Sequence, residues 1–164
     1  MPLVIGVGRE GRGDDAAGLR AARLVRALLW PQVRMVECAG DAPALLEAWR
    51  DESAVIVVDA LSSGAPPGTV RRIDASGAPL PAEFSRASTH VLGLAEAIEL
   101  GRSLGRLPRS LVLYGIEGRS FAPGARLSYP VECALREAAL LITEEILAGG
   151  GLEPPRRRPE ETRP

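Results

Sequence analysis

The six residues AVIVVD at positions 54–59 decide the fold. A strand with one wet face alternates apolar and polar residues, whereas this run is apolar, nearly all β-branched, and broken only by its closing acid. Both faces must therefore be covered, as in a parallel sheet lying between layers of helices. The run predicts a central strand over 54–58, with Asp59 at its carboxyl end. Upstream, Leu3–Val7 is a shorter apolar run followed by glycines and then by Ala16–Trp30, where apolar positions recur at helical spacing. Val33–Val36, ending at Glu37, is a second strand, and the helix-start signal Gly40, Asp41, Pro43 opens a short helix over Ala44–Trp49. Downstream of the turn-rich SSGAPPG stretch, the pattern predicts a strand over Thr69–Ile73, a polar stretch to His90, and a helix over Val91–Leu104. A strand over Ser110–Ile116 and a long helix over Pro130–Leu147 complete the order β, α, β, α, β, β, α, β, α. That order implies a single three-layer α/β/α domain over 1–149 with a twisted, mostly parallel sheet of about five strands. The final stretch, GGGLEPPRRRPEETRP, has almost nothing apolar and reads as a disordered Pro/Arg-rich tail over 150–164.

Composition narrows the function. The chain has 164 residues, enough to bury a single sizeable core, and a net charge of -1, which gives no overall attraction to nucleic acid or to anionic lipid. No apolar run approaches the ~20 residues that a bilayer crossing requires, so no membrane partner is expected. The start MPLVIGVG lacks the features of a secretory signal, and Cys38 and Cys133 are the two cysteines, which together predict a reduced, cytoplasmic protein. Every basic side chain other than His90 is arginine, and the chain contains neither Lys nor Asn.

In an open α/β sheet the loops at the carboxyl ends of the strands form the functional crevice. The sequence places Arg9–Asp15, Glu37–Asp41, Asp59–Ser63 and Glu117–Phe121 there, and Ser88, Thr89 and His90 at the start of a crossover helix that can deliver them to the same rim. Gly6, Gly8 and Gly11 spell G-x-G-x-x-G after a strand, with Glu37 where a ribose-binding acid would stand, so a dinucleotide-binding module is one reading. Asp14 and Asp15 oppose it, because two carboxylates at the helix start repel a pyrophosphate. Their plain structural reading is a helix cap and a first-turn acid. Asp59, ending an apolar strand, either finds donors in the next loop or binds something at the sheet edge. His90 is the chain's single histidine, and any imidazole chemistry must use it. Two carboxylates and one imidazole on one rim make an incomplete divalent-metal site, with donors that suit nickel or zinc and positions left open for substrate. Thiol catalysis by Cys38 with His90 is conceivable, but buried structural cysteine is the commoner arrangement. Cys133 reads as core, Glu117 as either crevice-lining or solvated, and Ser62 and Ser63 as turn formers.

The ordered segments GVGREGRGDDAAG (6–18), VIVVDA (55–60), GAPPGTV (64–70), STHVLGL (88–94), LVLYGIEG (111–118) and LSYPVE (127–132) resemble the hydrogenase maturation proteases. The likeness covers nearly everything before the tail. It implies the same three-layer α/β/α fold and an endopeptidase that removes the C-terminal extension of a nickel-iron hydrogenase large-subunit precursor after nickel insertion. It also implies that the family's two metal-binding acids and its histidine correspond to Asp15, Asp59 and His90. These would be both the catalytic and the metal-binding residues, and nickel would be carried in by the substrate. The aspartic-type assignment and a monomeric state follow from the same likeness. The chain departs from the family pattern at Arg9, where an Asn is usual, and at Ala39, Gly40 and Asp41, where a Gly-Gly-Thr motif is usual. Both departures bear on the partner and on the fit of its tail. A metal-binding chaperone that holds the nickel subunit without cutting it is a third reading.

Overall fold

Side-chain alternation along the strands builds two separate cores. In the computed structural model, which describes residues 1–82 and 93–149, the strands are β1 (Leu3–Val7), β2 (Arg34–Cys38), β3 (Ala54–Leu61), β4 (Val70–Asp74) and β5 (Ser110–Glu117). The helices are α1 (Ala17–Leu29), α2 (Ala42–Ala48), α3 (Leu94–Ser103) and α4 (Tyr129–Gly149), with a 3₁₀ turn over Gly13–Ala16 leading into α1. Leu3, Ile5, Val7, Val55, Val57, Leu111 and Leu113 point to one face, where Leu45 and Trp49 of the α2 region and Leu94, Ala97 and Ile98 of α3 cover them. Val4, Ile56, Val58, Ala60, Val112, Tyr114 and Ile116 point to the other, under Ala17, Ala21, Ala22, Val25 and Leu29 of α1 and Val131, Ala134, Leu135, Ala138 and Ile142 of α4. This is the three-layer sandwich that an all-apolar central strand demands.

The sheet order is β2-β1-β3-β5-β4, parallel except for β4, which runs antiparallel to β5 at the edge. The chain steps from β1 outward to β2 and then returns past β1 to β3. The switch point therefore lies between β1 and β3, where a crevice opens beyond the carboxyl ends of the strands. Helix α1 reaches this point because two glycines remove the side chains that would hold it away. A Cβ on Gly18 would lie 2.3 Å from the carbonyl oxygens of both Val7 and Val58, and one on Gly6 would lie 2.9 Å from the Ala22 side chain.

Element order and layers agree with the sequence reading, while several boundaries move. Strand β3 continues past Asp59 to Leu61, because β5 pairs with it as far as Asp59↔Gly115, Ala60↔Ile116 and Leu61↔Glu117. Asp59 is thus inside the strand, not at its end. The first helical turn is the separate 3₁₀ segment, and α2 begins at Ala42, with the Asp41 carboxylate accepting from the Ala44 N–H at 3.2 Å. No helix among the described residues is long and apolar enough to cross a membrane. The tail assigned to 150–164 lies outside the described residues, as do Ser88, Thr89 and His90.

Candidate functional site

Two acids reach the rim at the switch point. Asp15 sits in the 3₁₀ turn after β1 and Asp59 near the carboxyl end of β3, and they are only 5% and 3% exposed. Their elements are adjacent: β1 pairs with β3 as far as Gly6↔Val58. The backbone of Asp15 folds back onto Gly8, whose φ is +144°, and a Cβ there would fall 2.0 Å from the Asp15 carbonyl oxygen. Glycine at position 8 is what allows the turn carrying Asp15 to close over the end of β1. The odd-numbered parity of β3 directs Asp59 toward the α3 side. There it lines a small cavity of about 20 Å³ with Val57, Leu61, Leu80, Leu94 and Leu113. The Asp59 carboxylate also accepts from its neighbour's Ala60 N–H at 2.8 Å.

The other member of the doublet does something different. Asp14 is fully buried, and its carboxylate accepts from the N–H groups of Arg119 at 2.7 Å, Ser120 at 3.1 Å and Ser128 at 2.7 Å, and from the Ser128 hydroxyl at 2.8 Å. Burial alone would raise its pKa, but the donors from Ser128, Arg119 and Ser120 outweigh it, and the carboxyl sits below its ordinary value. Asp14 is therefore not the helix cap expected from its position. It is a clamp that ties the β5–α4 loop to the β1–α1 loop. Backbone bonds reinforce the tie, from Gly124 N–H to the Gly11 carbonyl at 2.7 Å and from Asp14 N–H to the Ser120 carbonyl at 2.9 Å.

Glu117 performs the matching task on the neighbouring loop. It is 2% exposed, so it is not the solvated acid that is one of its two readings from sequence. Its carboxylate accepts from Ser63 N–H at 2.7 Å, the Ser63 hydroxyl at 2.8 Å and Gly64 N–H at 3.0 Å. Ser63 is thus a turn former held by an acid that lies 54 residues away along the chain. Sequence reasoning missed both clamps. A buried acid with several backbone donors leaves no local signature, because its partners come from distant loops.

The dinucleotide reading fails on the same geometry. The backbone N–H groups that would cradle a pyrophosphate are already bonded, Gly13 to Ala125 at 3.1 Å, Asp14 to Ser120 at 2.9 Å and Asp15 to Arg12 at 3.2 Å. Glu37, the acid proposed for a ribose, is held by Arg23 through two bonds of 2.7 and 2.9 Å. Thiol chemistry fares no better. The Cys38 thiol is pushed up by burial and by the charges of Asp41 and Asp59, against the lowering effect of the Gly40 N–H that it accepts. A thiol held protonated is a poor nucleophile. Cys133 is exposed on α4, not part of the core as its apolar surroundings in sequence suggested, because it falls on the outer face of that helix.

Among the described residues no three His, Cys, Asp or Glu side chains are grouped so as to hold a metal ion. Asp15 and Asp59 are the two acids the fold brings to one rim, and the third predicted member, His90, lies outside the described residues. Both carboxylates are nearly buried, and Asp59 also accepts from the Ala60 N–H.

Comparison with known proteins places the chain in a family. The family model described as hydrogenase maturation protease matches residues 20–145. The hydrogenase 2 maturation protease of Escherichia coli K12 is 32% identical over 150 residues, which is 89% of this chain and 88% of that protein. The hydrogenase expression/formation protein HupD of Thiocapsa roseopersicina is 27% identical over 117 residues, 70% of this chain, and the chain spans about half (53%) of its length. Among solved structures, the hydrogenase maturating endopeptidase HybD from E. coli superposes with a TM-score of 0.75 at 29% identity, covering 91% of this chain and 93% of that one. The chain belongs to the hydrogenase maturation protease family, a family of peptidases.

Proposed function

We propose that this protein is an endopeptidase that removes the C-terminal extension of a nickel-iron hydrogenase large-subunit precursor once nickel has been inserted. The observation that carries the reading is the placement of two nearly buried carboxylates, Asp15 and Asp59, at the switch point of a fold shared with maturation endopeptidases. In this reading Asp15, Asp59 and His90 dock the nickel that the substrate already holds, offering two carboxylate oxygens and an imidazole nitrogen. His90 precedes Leu94, the first residue of α3, by four positions, and Leu94 lines the same small cavity as Asp59. Docking brings the scissile peptide to the rim beside the metal, so cleavage waits for nickel. The metal is cargo of the substrate, and the protein's part is to recognise it and to hold the peptide. The Asp14 and Glu117 clamps support this by fixing the loops on either side of the acids. Precursor loaded with nickel should be shortened by the wild-type protein. Asp15→Asn, Asp59→Asn and His90→Ala should each slow that cleavage by about a hundredfold or more. Circular dichroism melts run beside the assay should show the variants folded. Loss of activity only in proportion to lost stability would assign these residues a structural role and overturn the reading.

A further inference from the structure

The loop that carries Asp15 also presents to the crevice a cation that pairs with no described residue. Arg9 follows Gly8, whose N–H donates to the Cys38 carbonyl at 3.1 Å and whose open side receives the Asp15 backbone. It precedes Glu10, whose carboxylate is held by Arg20 at 3.0 Å and by Arg23 at 2.7 Å. The backbone is thus held at Gly8, directly beside the Asp15 turn, and Glu10 on the other side is tethered through its side chain. Its side chain is treated differently from those around it. Arg20 and Arg23 are engaged by acids, whereas Arg9 is exposed and has no ion pair or hydrogen bond with any described residue. It lines a groove of about 410 Å³, together with the turn Ala39–Gly40–Asp41 after β2 and with Gly93 and Glu96 at the start of α3. That volume lies within the range of pockets that take small ligands. Asp41 turns its carboxylate to the Ala44 N–H, and neither it nor Glu96 pairs with Arg9, so the guanidinium is the groove's one cation among the described residues.

We infer that Arg9 is a specificity-determining residue that binds a side-chain carboxylate on the substrate's peptide segment as it lies in this groove. The inference rests on the endopeptidase reading above and deepens it by naming what the groove selects. Asp41 and Glu96, the acids lining the groove, would repel a carboxylate, and a planar guanidinium with two parallel donors offsets that repulsion while fixing the register of the peptide. A backbone held at Gly8 serves the same end, because a cation beside it loses less freedom on binding than one on a loose loop.

The test is steady-state cleavage of the nickel-loaded precursor by wild type, Arg9→Gln and Arg9→Lys. A second precursor would have the Asp and Glu residues of its C-terminal segment replaced by Asn and Gln. For the unaltered precursor, Arg9→Gln should raise KM about tenfold, with kcat within about twofold of wild type. Arg9→Lys should fall between the two, since it keeps the charge and loses the fork. With the neutralised precursor wild type and Arg9→Gln should become equivalent. Unchanged KM in Arg9→Gln, or an equal loss on both precursors, would overturn the inference while leaving the endopeptidase reading standing. Failure of the wild-type protein to cut either precursor, with Asp15→Asn indistinguishable from it, would overturn both.

Discussion

Asp14 and Asp15 are adjacent in sequence and opposite in use. Asp14 commits its carboxylate to four donors of the β5–α4 loop, and Asp15 is the member of the doublet that reaches the crevice rim. Asp14→Asn places an amide N–H₂ against groups that themselves donate, so it should cost about 2–4 kcal/mol in denaturant unfolding. The same residue shapes the acid limb of the stability curve. Its folded pKa lies below the ordinary 3.8, so the stability it contributes is complete above that value and is lost as pH falls through the folded pKa. Wild-type stability should therefore drop steeply below about pH 4, and Asp14→Asn should show a flatter acid limb in pH-dependent melts. Glu117→Ala should free the Ser63 and Gly64 amides, so their hydrogen exchange should quicken by tenfold or more (about 1.4 kcal/mol) while the amides of β3 stay protected. The sequence displayed the candidate pair Asp15 and Asp59 through their position after apolar strands. It could not display the clamps, since the donors to Asp14 lie more than 100 residues further along the chain.

At the scale of elements, the decisive contact is the seating of α1 on β1 and β3. Gly18→Ala would drive a methyl into two strand carbonyls at 2.3 Å, lifting the helix and the turn that carries Asp15. It should destabilise by about 2–4 kcal/mol and also reduce activity, whereas Gly77→Ala, which meets nothing within 4 Å, should change stability by less than about 0.5 kcal/mol. Thermal melts of the two variants check this directly. The strands and helices were legible because their burial is periodic: β3 and β5 are apolar on both faces, and α1 keeps Ala21, Ala22, Val25 and Leu29 inward. Boundaries were less so. That β3 runs on through Asp59 depends on a partner strand more than fifty residues away, which no local pattern reports. The edge strand β4 is held in part by Arg72, whose guanidinium bonds Glu145 of α4 at 2.6 and 2.9 Å, and Tyr114 of β5 donates to the same carboxylate. Burial and that acid both push the Tyr114 hydroxyl up, while Arg72 and Tyr114 together hold Glu145 below its ordinary value against the effect of burial.

For the whole molecule, the sheet order puts one switch point, one pair of buried rim acids and one groove at the same edge, and two clamped loops enclose them. The opposite edge carries the turns Arg50–Ser53 and Gly105–Arg109, which precede β3 and β5 and present no such pair among the described residues. Of the buried acids at the carboxyl edge, Asp14 and Glu117 are taken up by the loops they clamp. The central claim is that cleavage is licensed by nickel held on the substrate. Its most direct measurement is intact-mass spectrometry of a hydrogenase large-subunit precursor incubated with the wild-type protein, once nickel-free and once nickel-loaded. The account predicts loss of the C-terminal extension from the nickel-loaded precursor alone. Equal shortening of both, or of the nickel-free form only, would contradict it.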